Sequence, residues 1–225
     1  MTDEWPDLTI VMPVRQEADV IERSVGAVLA QDYPGRFEVL VADGASTDGT
    51  RAVLDRLAAA DDRLSVLDNP EGIVPTGLNR ALARARGAVV IRVDGHCEIT
   101  PDYARRCVDA LLTSGADCAG GVIHTEGGSR EARAVALAQS SVLGVGGARF
   151  RTGADTPRFV DTLAFGAYHR EVFDRIGPFD EELVRNQDDE FNLRLTQAGG
   201  RIWLDPTIST TYWSRGTVRG AFRQY

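Results

Sequence analysis

The chain has 225 residues, 25 basic against 33 acidic side chains, a formal net charge of −8 and 43% apolar residues, an ordinary globular composition that excludes intrinsic disorder. A sequence pI near 5.0 leaves no excess of positive charge for a phosphate backbone, so no nucleic-acid partner is expected. Every basic residue is Arg, and without Lys the chain can run neither Walker-A phosphate binding, nor kinase strand-lysine chemistry, nor Schiff-base catalysis.

Apolar runs alternate with helical patterns from the start. Leu8–Val14 predicts a strand, Glu17–Ala30 a helix, Phe37–Asp43 a strand, Asp48–Ala60 a helix, Leu64–Leu67 a strand, Pro75–Arg86 a helix and Ala88–Asp94 a strand. Strands alternating with helices imply right-handed βαβ units on a parallel sheet, and the runs Thr9–Met12 and Ala88–Ile91 show no polar alternation, as in strands covered on both faces. Beyond about Thr100 the pattern loosens. It predicts a helix over Asp102–Thr113, a strand over Asp117–His124, a helix over Arg130–Leu143 and a glycine-rich connector or lid over Gly144–Ala148. A strand over Phe159–Tyr168, helices over Arg170–Ile176 and Gln187–Ala198, and short strands over Ile202–Leu204 and Ile208–Tyr212 complete the expected α/β chain.

Cys97, Cys107 and Cys118 are odd in number and form no Cys-x-x-Cys pair, which fits a reducing cytosol and argues against structural zinc. The first residues, Met1 to Pro6, lack the basic and apolar regions of a secretory signal, and the longest uncharged run, Ala134 to Ala148, is too short and polar to cross a bilayer. A cytoplasmic location is the expectation.

Polar residues gather where the predicted strands end: Arg15 and Glu17 after the first, Asp43 at the second, Asp94 and His96 after the one ending at Val93. Open α/β sheets bind ligands beyond the carboxyl ends of their strands, so separate segments deliver groups to one rim. Val41–Thr50 reads either as a strand-to-helix turn capped by Ser46, Thr47 or Asp48, or as a loop whose Asp43 accepts hydrogen bonds from a base or ribose. Asp94-Gly95-His96 is either a plain turn with a satisfied histidine or a carboxylate and an imidazole within reach of one cation. In Arg185–Leu195, helical spacing turns Phe191 and Leu195 to the core and leaves Asp188 with Asn192 on another face. The acids there either complement the helix dipole or supply a general base.

In combination these motifs resemble a known family. The order Met12-Pro13-Val14-Arg15-Gln16-Glu17, then Asp43-Gly44-Ala45-Ser46-Thr47-Asp48-Gly49-Thr50, then Asp94-Gly95-His96, then Asn186-Gln187-Asp188-Asp189-Glu190 is similar to that of family 2 glycosyltransferases of the GT-A fold. Within them the chain looks most like the succinoglycan-type β-1,3-glucosyltransferase branch, which also tends to show Gly144–Ala148, Phe165-Gly166-Ala167 before Arg170-Glu171, and Gly177-Pro178-Phe179-Asp180-Glu181. The resemblance spans roughly residues 8 to 225.

The resemblance implies a single GT-A domain over residues 1–225, with a Rossmann-like, mostly parallel central sheet flanked by helices and a smaller mixed sheet on the acceptor side. The nucleotide-binding half would run to about residue 99 and the acceptor half from about 100, in a C-terminally truncated piece of a protein working at the cytoplasmic face of a membrane. Pro13, Arg15 and Glu17 would line the nucleotide pocket and Asp43 would hold the base. Asp94 and His96 would hold a divalent cation, Mn²⁺ or Mg²⁺, on the donor diphosphate, and Asp188 falls on the catalytic carboxylate. His96 stands where the family has a second aspartate, and Gln187 where its motif has glutamate, so Asp189 remains beside Asp188 as a candidate base.

The processive Gln-x-x-Arg-Trp signature is missing. The implied reaction is therefore inverting transfer of one hexose, glucose in this branch, from a UDP-sugar to a hydroxyl of a glycan or lipid-linked saccharide acceptor. Arg149, Arg151 and Arg215 are candidate phosphate contacts. The same residues also admit a glycoside hydrolase with Asp94 and Asp188 as its carboxylate pair, or a non-catalytic sugar-nucleotide binding module.

Overall fold

The computed structural model describes residues 4–141, 145 and 147–213. Strands β1 (Leu8–Val14), β2 (Phe37–Asp43), β3 (Leu64–Asp68) and β4 (Val89–Arg92) alternate with helices α1 (Ile21–Leu29), α2 (Thr50–Ala60) and α3 (Val74–Leu82). They pair in parallel in the order β3-β2-β1-β4. Every residue of β1 is buried, because a central parallel strand is covered by helices on both faces. The register sets Val14 beside Asp43 and Asp43 beside Asp68, so the carboxyl ends of β1, β2 and β3 finish on one level. This is the parallel half-sheet that the alternating pattern predicts.

The second part contains β5 (Cys97–Ile99), α4 (Tyr103–Ser114), β6 (Cys118–Glu126), α5 (Arg130–Gln139), α6 (Arg149–Thr152), β7 (Arg158–Val160), β8 (Gly166–His169), α7 (Glu171–Ile176), α8 (Gln187–Gln197) and β9 (Ile202–Trp213). β8 runs antiparallel to both β4 and β6, β9 is parallel to β6, and β5 and β7 lie antiparallel on β9. The mixed strands thus extend the parallel ones, and all nine share one continuous sheet.

The sequence pattern does not anticipate β5 or α6, and three further elements differ from it. The predicted strand Phe159–Tyr168 is interrupted between β7 and β8, because Asn192 of α8 donates to Thr162 Oγ1 and Leu163 O, and Thr162 Oγ1 donates to Asp189. A helix therefore satisfies polar groups that a strand neighbour would otherwise take. The two expected C-terminal strands are one, β9, with Asp205 to Ile208 standing opposite Gly121 of β6. That irregularity accommodates Pro206, which has no N–H for a ladder. Helix α1 starts at Ile21 instead of Glu17, since Glu17 donates its own N–H to Thr50 Oγ1 and its carbonyl caps Val20 and Ile21. Of the predicted lid, Gly144 and Gly146 lie outside the described residues, as does Leu143 at the end of the helix before it.

An aromatic cluster anchors α8. Phe191 stacks on Phe179 with centroids 4.5 Å apart and meets Phe173 and Tyr168 at 5.2 and 5.6 Å. Tyr168 also donates to Asn192, which is fully buried. The N-terminal turn of α8 is therefore pinned against the sheet. The three cysteines are buried free thiols, and burial pushes the Cys107 thiol up to about 12, which makes it a packing residue.

At the amino end of the parallel strands Glu38 accepts from Thr9 Oγ1 at 2.9 Å, from Arg86 N at 2.8 Å and from the Arg86 guanidinium at 2.9 and 2.5 Å. Burial alone would raise its carboxyl, but the Arg86 and Thr9 hydrogen bonds more than offset this and hold it below its ordinary 4.5. A lowered folded-state value adds stability above the unfolded value and loses it as pH falls through the folded one. Glu38→Gln should accordingly flatten the acid limb of stability below pH 4.5, read as melting temperature against pH. An acid limb as steep as that of the native chain would disprove the assignment.

Candidate active site

The site begins with two loops locked together at the carboxyl ends of β1 and β2. Gln16 N donates to Ser46 Oγ at 2.9 Å, Thr47 N to Gln16 Oε1 at 2.6 Å, Glu17 N to Thr50 Oγ1 at 2.8 Å and Ala18 N to Asp48 Oδ2 at 3.1 Å. Gln16 and Ala45 hold positive φ of 57° and 53°, a conformation that costs a non-glycine residue energy and is paid here by those cross-loop bonds. Asp48 also takes Thr50 N at 3.0 Å, opening α2. The polar residues of this loop therefore build a clasp that fixes Arg15 and Glu17 in place.

Arg15 Nη1 donates to Gly72 O at 2.8 Å, bringing the loop after β3 over the cleft. Gly72 has φ +68°, and a Cβ there would lie 2.9 Å from Arg15 Nη1. Buried Asn69 braces this loop, donating to Ile73 O at 2.9 Å and accepting from Thr76 Oγ1 at 2.7 Å. A cavity of about 90 Å³ is walled by Pro13, Arg15 and Glu17 on one side, the Asn69–Val74 loop on another, and Asp94 with His96 on the third.

Asp94, Gly95 and His96 follow β4. The turn needs Gly95, because a Cβ there would stand 2.9 Å from Val14 Cγ2. His96 Nδ1 lies 3.1 Å from Glu17 Oε1, its ring meets the edge of Tyr212 at 4.6 Å, and both Nδ1 and Nε2 are buried without a hydrogen bond. A neutral imidazole carries a lone pair on one ring nitrogen, and here neither nitrogen is engaged by a hydrogen bond. The donor chemistry thus fits a divalent cation shared by Asp94 and His96. Among the described residues no group of three or more His, Cys, Asp and Glu could hold a metal by itself, so further ligand atoms would come from a bound substrate or water.

The third component arrives from α8. Asp188 forms an ion pair with Nη1 of Arg92, whose Nε and Nη2 donate to Asp94 Oδ1 at 3.2 and 3.0 Å. Asp188 and Asp94, 94 residues apart in sequence (188 − 94), thus share one guanidinium. Asp189 is held differently, accepting from Thr162 Oγ1 at 2.8 Å.

The remaining sequence candidates fall as follows. Asp43 is 3% exposed, takes Ser46 N at 3.4 Å and lies 3.9 Å from Arg51. It sits at the rim but outside the wall of the 90 Å³ cavity. Arg151 stacks over Tyr212 at 5.6 Å, on the ring that packs against His96, whereas Arg149 is exposed at the start of α6. Arg215 lies outside the described residues. Sequence reasoning missed Arg92, Asn69 and Tyr212. Arg92 carries a readable signal, a charge in the last place of an apolar strand; the other two carry none without the strand pairing.

Residues 9–177 match the family described as glycosyl transferase family 2. The chain is 38% identical over 222 residues to the succinoglycan biosynthesis protein ExoA of Rhizobium meliloti, covering 96% of this chain and 66% of that protein. It is 27% identical over 205 residues to glycosyltransferase AglE of Haloferax volcanii, covering 88% and 64%. The chain therefore spans about two thirds of the length of these relatives. Among solved structures it resembles the mannosyltransferase PcManGT from Pyrobaculum calidifontis in complex with GDP-Man and Mn²⁺, with a TM-score of 0.73 and 23% identity over 99% of this chain and 61% of the other. It also resembles S. aureus TarS 1–349 in complex with UDP-GlcNAc, with a TM-score of 0.68 and 19% identity over 93% and 59%. What is shared at these identities is the GT-A fold. With its four motifs, its sheet topology and its extended match all in agreement, the chain belongs to glycosyl transferase family 2, a family of glycosyltransferases.

Proposed function

We propose that this chain carries the catalytic domain of an inverting, metal-dependent hexosyltransferase that moves one sugar, glucose by preference, from a UDP-sugar to a hydroxyl of a glycan or lipid-linked saccharide in polysaccharide biosynthesis. The observation that carries the reading is the meeting of Asp94, His96 and Asp188 at one rim, with Asp188 joined to Asp94 through Arg92. The polysaccharide role is supported by the 38% identity to ExoA, and a UDP-sugar donor by the UDP-GlcNAc in the similarly folded TarS. Membership of a transferase family sets the hydrolase reading aside.

In this reading Pro13, Arg15 and Glu17 border the nucleotide, and Asp43 at the rim serves the base. A divalent cation held by Asp94 and His96 would neutralise charge on the leaving diphosphate. Asp188 takes the proton of the acceptor hydroxyl as its oxygen bonds to the anomeric carbon. The bond to the diphosphate oxygen breaks on the opposite face and its electron pair leaves with UDP, so a single displacement turns an α-linked donor into a β-linkage. We place this work at the cytoplasmic face of a membrane; among the described residues no helix is long and apolar enough to cross one.

Thermal melting with nucleoside diphosphates, with and without Mn²⁺, tests the donor assignment. UDP with Mn²⁺ at one hundred times its dissociation constant should stabilise the chain by about 2.7 kcal/mol, and Asp94→Ala should abolish the shift. Stabilisation by GDP in preference to UDP would overturn the uridine assignment, and no response to any nucleoside diphosphate would overturn the site.

A further inference from the structure

Arg92 ends a strand that is otherwise apolar and buried at all four positions, and its side chain is only 6% exposed. A guanidinium remains charged at any accessible pH, so at such depth it needs acidic partners. It has two, from different parts of the chain: Nε and Nη2 converge on Asp94 Oδ1, and the opposite arm, Nη1, engages Asp188 Oδ1. The planar fork reaches both carboxylates at once, as a lysine ammonium could not.

A positive charge in that position competes with any dication for the same carboxylate oxygens. Without Arg92, Asp94, Asp188 and His96 would offer two carboxylates and an imidazole, a donor set suited to Mn²⁺ or Zn²⁺. As placed, with the guanidinium paired to both carboxylates, Asp94, Asp188 and His96 form no group that could hold a metal.

We propose that Arg92 is a positioning residue that denies a dication a protein-only chelate between Asp94 and Asp188. It thereby makes cation binding depend on the donor diphosphate, and it keeps the Asp188 carboxylate off the metal and available to the acceptor hydroxyl. The inference rests on the reading of Asp94 and His96 as metal ligands and of Asp188 as the base.

Nucleotide-free Mn²⁺ affinity, followed by the electron paramagnetic resonance signal of free Mn²⁺, tests it directly, because a merely structural ion pair would not move that affinity upward. Arg92→Met should bind Mn²⁺ at least about tenfold more tightly than the native chain, since affinity follows the count of free charged ligands, and adding Asp188→Asn should remove the gain. Arg92→Lys retains a charge for folding but cannot span both acids, and should show a gain of about threefold; it decides the matter if Arg92→Met does not fold. Folded variants that bind Mn²⁺ no more tightly than the native chain would overturn the proposal. The native chain's response to UDP with Mn²⁺ is the separate control: if it is present while the Arg92 variants are unchanged, only the role of Arg92 fails, and if it is missing, the site reading fails first.

Discussion

Asp188→Asn should reduce sugar transfer by about 10²–10⁴-fold, the range lost when a positioned general base is removed, while leaving the thermal shift given by UDP with Mn²⁺ in place. The substitution is nearly isosteric, so α8 keeps its aromatic anchor through Phe191. What it loses is the ability to accept a proton and the ion pair with Arg92. Asp189→Asn should cost less than about tenfold, because a residue outside the proton transfer contributes no general-base term, and its carboxylate is occupied by Thr162. The measurement is the rate of UDP release from the preferred UDP-sugar in the presence of acceptor, with the melting shift as the binding control. A larger loss from Asp189→Asn would exchange the two roles, and equal small losses would remove both from the chemistry.

The neighbourhood of Asp188 marks how far the sequence is legible. β1 and β2 occupy the predicted residues, Leu8–Val14 and Phe37–Asp43, because unbroken apolar runs between turn residues have one stable use in an alternating chain. The rim follows from those strands, and with it the placement of Arg15, Glu17, Asp94 and His96 around one cavity. Helical spacing found the core positions Phe191 and Leu195 of α8, but it set Asn192 with Asp188 on another face. In the fold Asn192 is fully buried and bound to Tyr168, Thr162 and Leu163. That environment is made by β8 and the segment before it, and no local pattern records which strand a helix will meet. Arg92 was legible only as a charge at the end of an apolar strand; its role depends on its partners, and one of them is supplied by a helix far along the chain.

Gly121→Ala should destabilise the chain by about 3 kcal/mol or more, beyond the usual cost of overpacking, because its clash is with backbone instead of a movable side chain. An added Cβ would lie 2.0 Å from Ile208 O and 2.5 Å from Ile208 C, while one at neighbouring Gly120 would lie 2.5 Å from Phe165 O. The two glycines let β6 fit closely between β8 and β9 where the ladder shifts register opposite Asp205 to Ile208. At about 2–4 °C per kcal/mol for a chain of this size, the melting temperature should fall by roughly 6–12 °C. Gly26→Ala in α1, where nothing lies within 4 Å of the new Cβ, should instead stabilise by about 1 kcal/mol through helix propensity. A Gly121→Ala chain melting within about 2 °C of the native one would refute the packing argument, since that shift corresponds to no more than about 1 kcal/mol. The effect should also reach the site. Beyond the irregularity β9 carries Tyr212 against the His96 ring at 4.6 Å, and Trp213 N donates to His96 O at 3.4 Å. Moving β9 away from Gly121 therefore loosens the imidazole that lies 3.1 Å from Glu17 on its other side, and the stabilisation by UDP with Mn²⁺ should weaken along with the fold.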